Sequence, residues 1–202
     1  FRGGGEACLA LEAELKRRAR QHGVRFLGPH SLGLLRTDSA LNAACGPDQP
    51  LAGRLALVSQ SGALCAAMID WARTLQVGFS TVISTGLSAD IGLGEILDFL
   101  VHDAATDSIM LYTEGVDDAR RFMSALRAAA RVKPVVVMKA GRHAEDAAAA
   151  SFHTGALVGG DDVFDAALRR AGVLRIRDLS DFFTAALTLG AGVRVGGRRL
   201  AI

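Results

Sequence analysis

Between Arg54 and Leu189, short apolar runs alternate with longer amphipathic stretches, and this alternation limits the fold more than any other feature. Arg54–Ser59, Phe79–Ser84, Ser108–Tyr112, Pro134–Lys139 and Val173–Ile176 read as strands. Ser61–Gln76, Leu93–Val101, Asp117–Arg131, Asp161–Ala171 and Asp178–Leu189 read as helices. Strands that are apolar without a break must be covered on both faces, and strands separated by helices pair in parallel. The expected fold is therefore α/β, a doubly wound parallel sheet of flavodoxin-like form over residues 51–190. Ligands of such sheets bind where the strands end, so the turns after each strand are the ones to read.

The sequence before this block behaves differently. Glu6–Gln21 has leucines at helical spacing and basic residues gathered at its end, where they suit the helix dipole, and Gly23 stops it. Val24–Leu27 reads as a short strand before the Gly28-Pro29 break, and His30–Gly53 reads as loop and linker. A domain boundary is expected near Leu51. The chain opens at Phe1, without Met, and ends at 198–202 in what reads as the start of a strand. Together these ends suggest a piece of a longer protein.

Composition removes several classes of function. Half of the 202 residues are hydrophobic, but aromatics are only 5%, so an aromatic surface for stacking bases is not expected. The formal net charge of +2 gives no electrostatic footprint for nucleic acid or an anionic membrane. No stretch is apolar for long enough to span a bilayer, and no signal peptide is visible. Cys8, Cys45 and Cys65 are odd in number and widely spaced, which speaks against a disulfide framework or a zinc site and for a reducing, cytoplasmic setting. No metal site is expected.

Four strand ends carry candidate chemistry. Ser59-Gln-Ser-Gly-Ala-Leu64 brings a strand into a helix with hydroxyls and unpaired amides at the helix start. That arrangement suits an anion, although Ser59 or Ser61 could equally be a simple N-cap. The sequence has neither a P-loop lysine nor a GxGxxG pattern. Ser84-Thr-Gly-Leu-Ser-Ala-Asp90 offers Gly86 for close approach of a ligand and Asp90 as a helix cap, or is an ordinary turn. Tyr112-Thr-Glu-Gly115 puts the carboxylate of Glu114 at the end of a central strand, where it is either functional or a solvated loop residue. Lys139–Gly160 is long and rich in Ala and Gly, with His153-Thr-Gly-Ala-Leu157 echoing Ser61-Gly-Ala-Leu64. A free imidazole is largely neutral and nucleophilic at physiological pH, and a carboxylate such as Glu114 could orient it. His22, His30, His102 and His143 read as surface or packing residues.

These segments, in order along nearly the whole chain, resemble the NDP-forming acyl-CoA synthetases, relatives of the succinyl-CoA synthetase α subunit that include ADP-forming acetate–CoA ligases. The matching stretches are Leu27-Gly-Pro-His-Ser-Leu-Gly33, Leu41-Asn-Ala43, Val58-Ser-Gln-Ser-Gly-Ala-Leu64, Asp70-Trp71-Ala72, Val77-Gly-Phe-Ser80 and the Ser84–Asp90 turn. They continue through Tyr112-Thr-Glu-Gly115, Arg121-Phe122, Lys133-Pro134-Val135, Lys139-Ala-Gly-Arg142 and His153-Thr-Gly-Ala-Leu157. Two positions depart from the family pattern. His30 stands where Asn is usual after Gly-Pro, and Phe152 separates Ser151 from His153.

The resemblance implies a ligase that couples a small carboxylic acid, CoA and a nucleoside triphosphate, through an acyl phosphate whose phosphoryl group passes through a histidine. It implies that His153 is that histidine, Glu114 its positioning carboxylate, and Ser59, Ser61, Gly62 and Ala63 the phosphate-binding turn, with Gly86 near substrate. It also implies that residues 1–50 are the tail of a Rossmann-like CoA-binding domain plus linker, and that 191–202 open a further domain. ATP or ADP and Mg²⁺ would then be held by an ATP-grasp domain or subunit outside this chain, in an oligomer, and the isolated chain would not turn over. The alternative implied function is a non-catalytic acyl-CoA or CoA sensor joined to a GNAT protein-lysine acetyltransferase.

Overall fold

All five apolar runs become strands, and all five stretches between and after them become helices. The structure is a computed structural model and describes residues 5–46, 48–141, 161–192 and 197. The elements are α1 (Glu6–Gln21), β1 (Gly33–Arg36), β2 (Leu41–Ala44), β3 (Ala52–Ser59), α2 (Gly62–Thr74), β4 (Phe79–Ser84), α3 (Leu93–His102) and β5 (Ser108–Thr113). They continue with α4 (Ala119–Val132), β6 (Val135–Lys139), α5 (Asp161–Ala171), β7 (Leu174–Ile176) and α6 (Leu179–Gly190). One seven-stranded sheet runs β2-β1-β4-β3-β5-β6-β7. From β4 to β7 all pairs are parallel, and the order of those five strands is that of a flavodoxin-like doubly wound sheet.

Side chains of each central strand alternate between two cores, as pleating requires. On β3, Ala56 and Val58 join the core beneath α3, α4 and α5, while Leu55 and Leu57 join the one beneath α2 and α6. Trp71 of α2 meets Phe183 of α6 edge to face, with ring centroids 4.8 Å apart. Ala, Leu, Val and Ile build most of both cores, as the composition required. Among the described residues, no helix is long and apolar enough to cross a membrane.

Two local expectations fail. Val24–Leu27 is not a strand. Its extended backbone is held by the loop after β4 instead, where the Phe26 amide donates to Asp90 at 2.9 Å and the Ile91 amide to the Phe26 carbonyl at 3.3 Å. The stretch read as loop and linker contains the β1–β2 hairpin, and β1 pairs antiparallel with β4, Leu35 opposite Val82. Each hairpin strand has only four residues, too short for periodicity to register, and its pairing partner lies far along the chain.

Cys65 on α2 faces the core and is fully buried. Burial pushes its thiol up from 9.0 to about 12, against a smaller opposing effect of a hydrogen bond with Ser59. The folded chain keeps this proton over a pH range in which an unfolded thiol loses it. Stability should therefore fall as pH rises from 9.0 toward about 12. Urea unfolding of wild type and Cys65→Ala across that range checks this, with the slope expected to be shallower in the variant. A native thiol titration should find Cys45, which is exposed, reactive and Cys65 silent.

Candidate functional site

The sheet reverses its winding between β3 and β5, so a crevice opens at their carboxyl ends. The residues that leave those strands are Gln60 and Glu114. Ser61 caps α2, its hydroxyl accepting from the Leu64 amide at 3.3 Å. The first turn therefore presents the amides of Gly62 and Ala63 at the positive end of a thirteen-residue helix. A Cβ at Gly62 would lie 3.2 Å from the Leu32 Cβ, a tight contact that Leu32 would have to relieve by a small shift.

Ser59 has a different place from the other three residues of this turn. It is wholly buried, and its hydroxyl donates to the Ser61 carbonyl at 2.9 Å and accepts from the Ser61 amide at 3.0 Å. That hydroxyl shapes the turn: both of its bonds to Ser61 are made inside it, and its remaining contact is with the buried Cys65 thiol.

Gln60 is the residue that sequence reasoning passed over. Its side-chain oxygen accepts from the amides of Glu114 at 2.5 Å and Gly115 at 3.1 Å. Two facing N–H donors identify the atom as the oxygen of the amide group. Thr113 Oγ1 lies 2.9 Å from the same oxygen and 3.0 Å from the Gly115 carbonyl. The single proton of the Thr113 hydroxyl is taken by one of these two acceptors. The Gln60 backbone N–H also donates to the Tyr112 carbonyl at 3.2 Å. Glu114, half-buried, thus stands on a loop clamped to the start of the α2 turn.

Gly86 has a positive φ of 54°, and a Cβ there would fall 2.1 Å from the Pro29 carbonyl oxygen. The close approach expected of this glycine is made by the chain's own Pro29–His30 backbone, with the Leu87 amide donating to the Pro29 carbonyl at 2.9 Å. Asp90 does not cap α3, whose N-cap is Gly92 with no side-chain cap bond. It pairs with Arg25 at 2.9 Å and takes the Phe26 amide. Burial would raise its carboxyl, but these partners outweigh burial and hold it below the usual range. Arg25 also reaches Glu95, at 2.7 Å, and Glu95 in turn pairs with Arg121 at 3.1 Å.

Two clefts open here. One, of about 160 Å³, lies between the Gln60 turn, the start of α3 and the loop before α4. The other, of about 270 Å³, lies beyond β5 between α4 and α5 and has Lys139 in its wall. Lys139 faces the same side of the sheet as Thr113, its register partner, and burial lowers its pKa. His153 lies outside the described residues, as does the rest of 142–160. Among the described residues, no three His, Cys, Asp or Glu side chains gather as metal ligands do.

Residues 52–189 match the succinyl-CoA ligase-like flavodoxin domain. The chain belongs to that family. The matched range begins one residue after Leu51 and spans the five parallel strands. The α subunit of acetate–CoA ligase [ADP-forming] I from Pyrococcus furiosus is 43% identical over 89% of this chain and 39% of its own length. Acetate–CoA ligase [ADP-forming] I of Archaeoglobus fulgidus is 42% identical over 94% of this chain and 28% of its own. The solved structure of the dinucleotide forming acetyl-coenzyme A synthetase 1 of Ca. Korarchaeum cryptofilum, in complex with phosphate and ADP, superposes with a TM-score of 0.87 at 36% identity. That match covers 94% of this chain and 41% of the synthetase. The chain thus spans less than half of each of these family members.

Proposed function

We propose that this chain is the phosphoryl-relay part of an ADP-forming acid–CoA ligase for a small carboxylic acid of the acetate type. One observation carries the reading. At the sheet's switch point, a helix start suited to an anion stands beside a carboxylate whose loop is clamped to it by Gln60. The relatives named above, ligases and synthetases of this type, supply the reaction class.

In this reading a nitrogen of His153 attacks the phosphorus of a phosphoryl donor. The N–P bond forms as the P–O bond to the leaving group breaks. Glu114 accepts a hydrogen bond from the other ring nitrogen, and the α2 amides and helix dipole hold the phosphoryl oxygens. Transfer of this kind depends on positioning and charge stabilisation, which backbone donors can supply. CoA, ATP or ADP, and Mg²⁺ with the nucleotide, would be bound partly or wholly by an ATP-grasp domain or subunit beyond this chain. Residues 1–50 would belong to a Rossmann-like CoA-binding domain and 191–202 to a following one, with Gly86 near the substrate.

The test is phosphoryl labelling. The protein is incubated alone with labelled acetyl phosphate, and together with an ATP-grasp partner with γ-labelled ATP. Acid-labile, alkali-stable phosphate on the protein is expected. Its absence under both conditions overturns the proposal.

A further inference from the structure

The cleft beside Lys139 is not used by the phosphoryl relay, and Lys139 is oddly placed for a structural residue. It ends an otherwise apolar strand and is only 6% exposed. An ammonium has three protons to donate, and burying it with those protons unmet is costly. Among the described residues its Nζ makes one hydrogen bond, a long one of 3.4 Å to the carbonyl of its neighbour Ala140. The Phe164 ring lies beneath it, 5.6 Å from Nζ to the ring centre. Among the described residues the cleft around it is mostly apolar, walled by Val116, Phe122, Met123, Val163, Phe164 and Ala167. Thr113 is the other polar side chain among the described residues of the wall, and its single proton is engaged by Gln60 or Gly115.

A buried cation whose donors are largely unmet among the described residues, set in a mostly apolar cleft, suits a ligand with an anionic head and a short apolar body. At about 270 Å³ the space is smaller than the roughly 300–1,000 Å³ of drug-sized pockets. We infer that this cleft is a binding site for a short-chain monocarboxylic acid, its carboxylate on Lys139 and its alkyl group against Phe122, Met123 and Phe164. Thr113 and Gly115, in the wall of this cleft, flank Glu114, so an acid here lies beside the Glu114 loop. In the sheet β6 lies three strands from β4, so this site is separate from the substrate position near Gly86 and stands on the cation and the apolar walls, independently of the ligase reading.

Binding of sodium butyrate to the 202-residue chain, followed by ligand-observed NMR titration, tests this without turnover. Saturable binding is expected, weakened about tenfold or more in Lys139→Met, because a charge-assisted hydrogen bond is lost. Methionine fits the same space without a charge, so the variant should melt no lower than wild type. Ala167→Leu keeps the cation but fills the apolar wall, and should weaken butyrate more than acetate. Absence of saturable binding overturns the inference, as does equal binding by Lys139→Met. Sulfate or butylamine binding as tightly as butyrate overturns it too. Acid-labile phosphate on the protein without butyrate binding rejects this site alone. Butyrate binding without such phosphate rejects the ligase reading alone.

Discussion

His153→Asn should remove all acid-labile phosphate from the protein and lower ligase turnover by on the order of 10⁴-fold or more, as loss of a covalent nucleophile does. Asparagine keeps a polar side chain able to hydrogen-bond, but its amide nitrogen has no available lone pair and cannot form the N–P bond. The loss should therefore be one of chemistry, with the melting temperature close to wild type. Phosphate incorporation and ADP formation, measured on the same preparations, check it. Labelling that persists in the variant would move the phosphoryl acceptor to another residue and leave His153 without a chemical role. Phe152 is the neighbour to examine next, because it stands where the family usually has the serine that precedes the histidine.

Gln60→Leu should be less damaging to function than His153→Asn, but measurable in stability as well. Leucine fills a similar volume but accepts nothing, so the Glu114 and Gly115 amides lose their shared acceptor. An unmet donor costs about 1–3 kcal/mol when buried. Gln60 is half-buried and water can reach part of the site, so about 2 kcal/mol for the pair is the expected loss. Misplacing Glu114 should slow phosphorylation of His153 about a hundredfold, because loss of orientation is costly in proportion to its precision. Gln60→Glu restores an acceptor at the same reach and should recover most of the stability. Urea unfolding separates the two variants. An unchanged phosphorylation rate in Gln60→Leu would show that the clamp does not position Glu114 for the reaction.

The sequence was easiest to read where a residue's neighbours in the chain are also its neighbours in space. Asp161–Ala171 and Phe79–Ser84 have the bounds expected of them, since helical periodicity and an unbroken apolar run are local signals. Ser61 is likewise the cap that the strand-turn-helix pattern offered. The misses share one cause. The β1 strand exists because β4 accepts it, Asp90 turns away from α3 because Arg25 claims it, and Gln60 matters because of amides 54 and 55 residues further on. Lys139 was visible as a residue of the family pattern, but its burial was not, because the covering residues belong to α4 and α5. At the candidate site, residue types could be read from sequence and their partners could not. Ser59 is the clearest example, a hydroxyl at the right strand end with its bonds directed into the turn.

The two ends of the sheet have a consequence for how this chain behaves in company. Among the described residues its margins are β2, with four residues, and β7, with three. A strand from another molecule could lay only a few ladder bonds along either margin before the backbone turned away. The long apolar strands most prone to stack into fibrils, β3 and β5, are interior strands, each paired on both sides. Short margins outside a hydrophobic centre are a common protection against edge-to-edge aggregation. This one depends on the antiparallel hairpin: without it the margin would move to β4, a six-residue strand buried along its whole length.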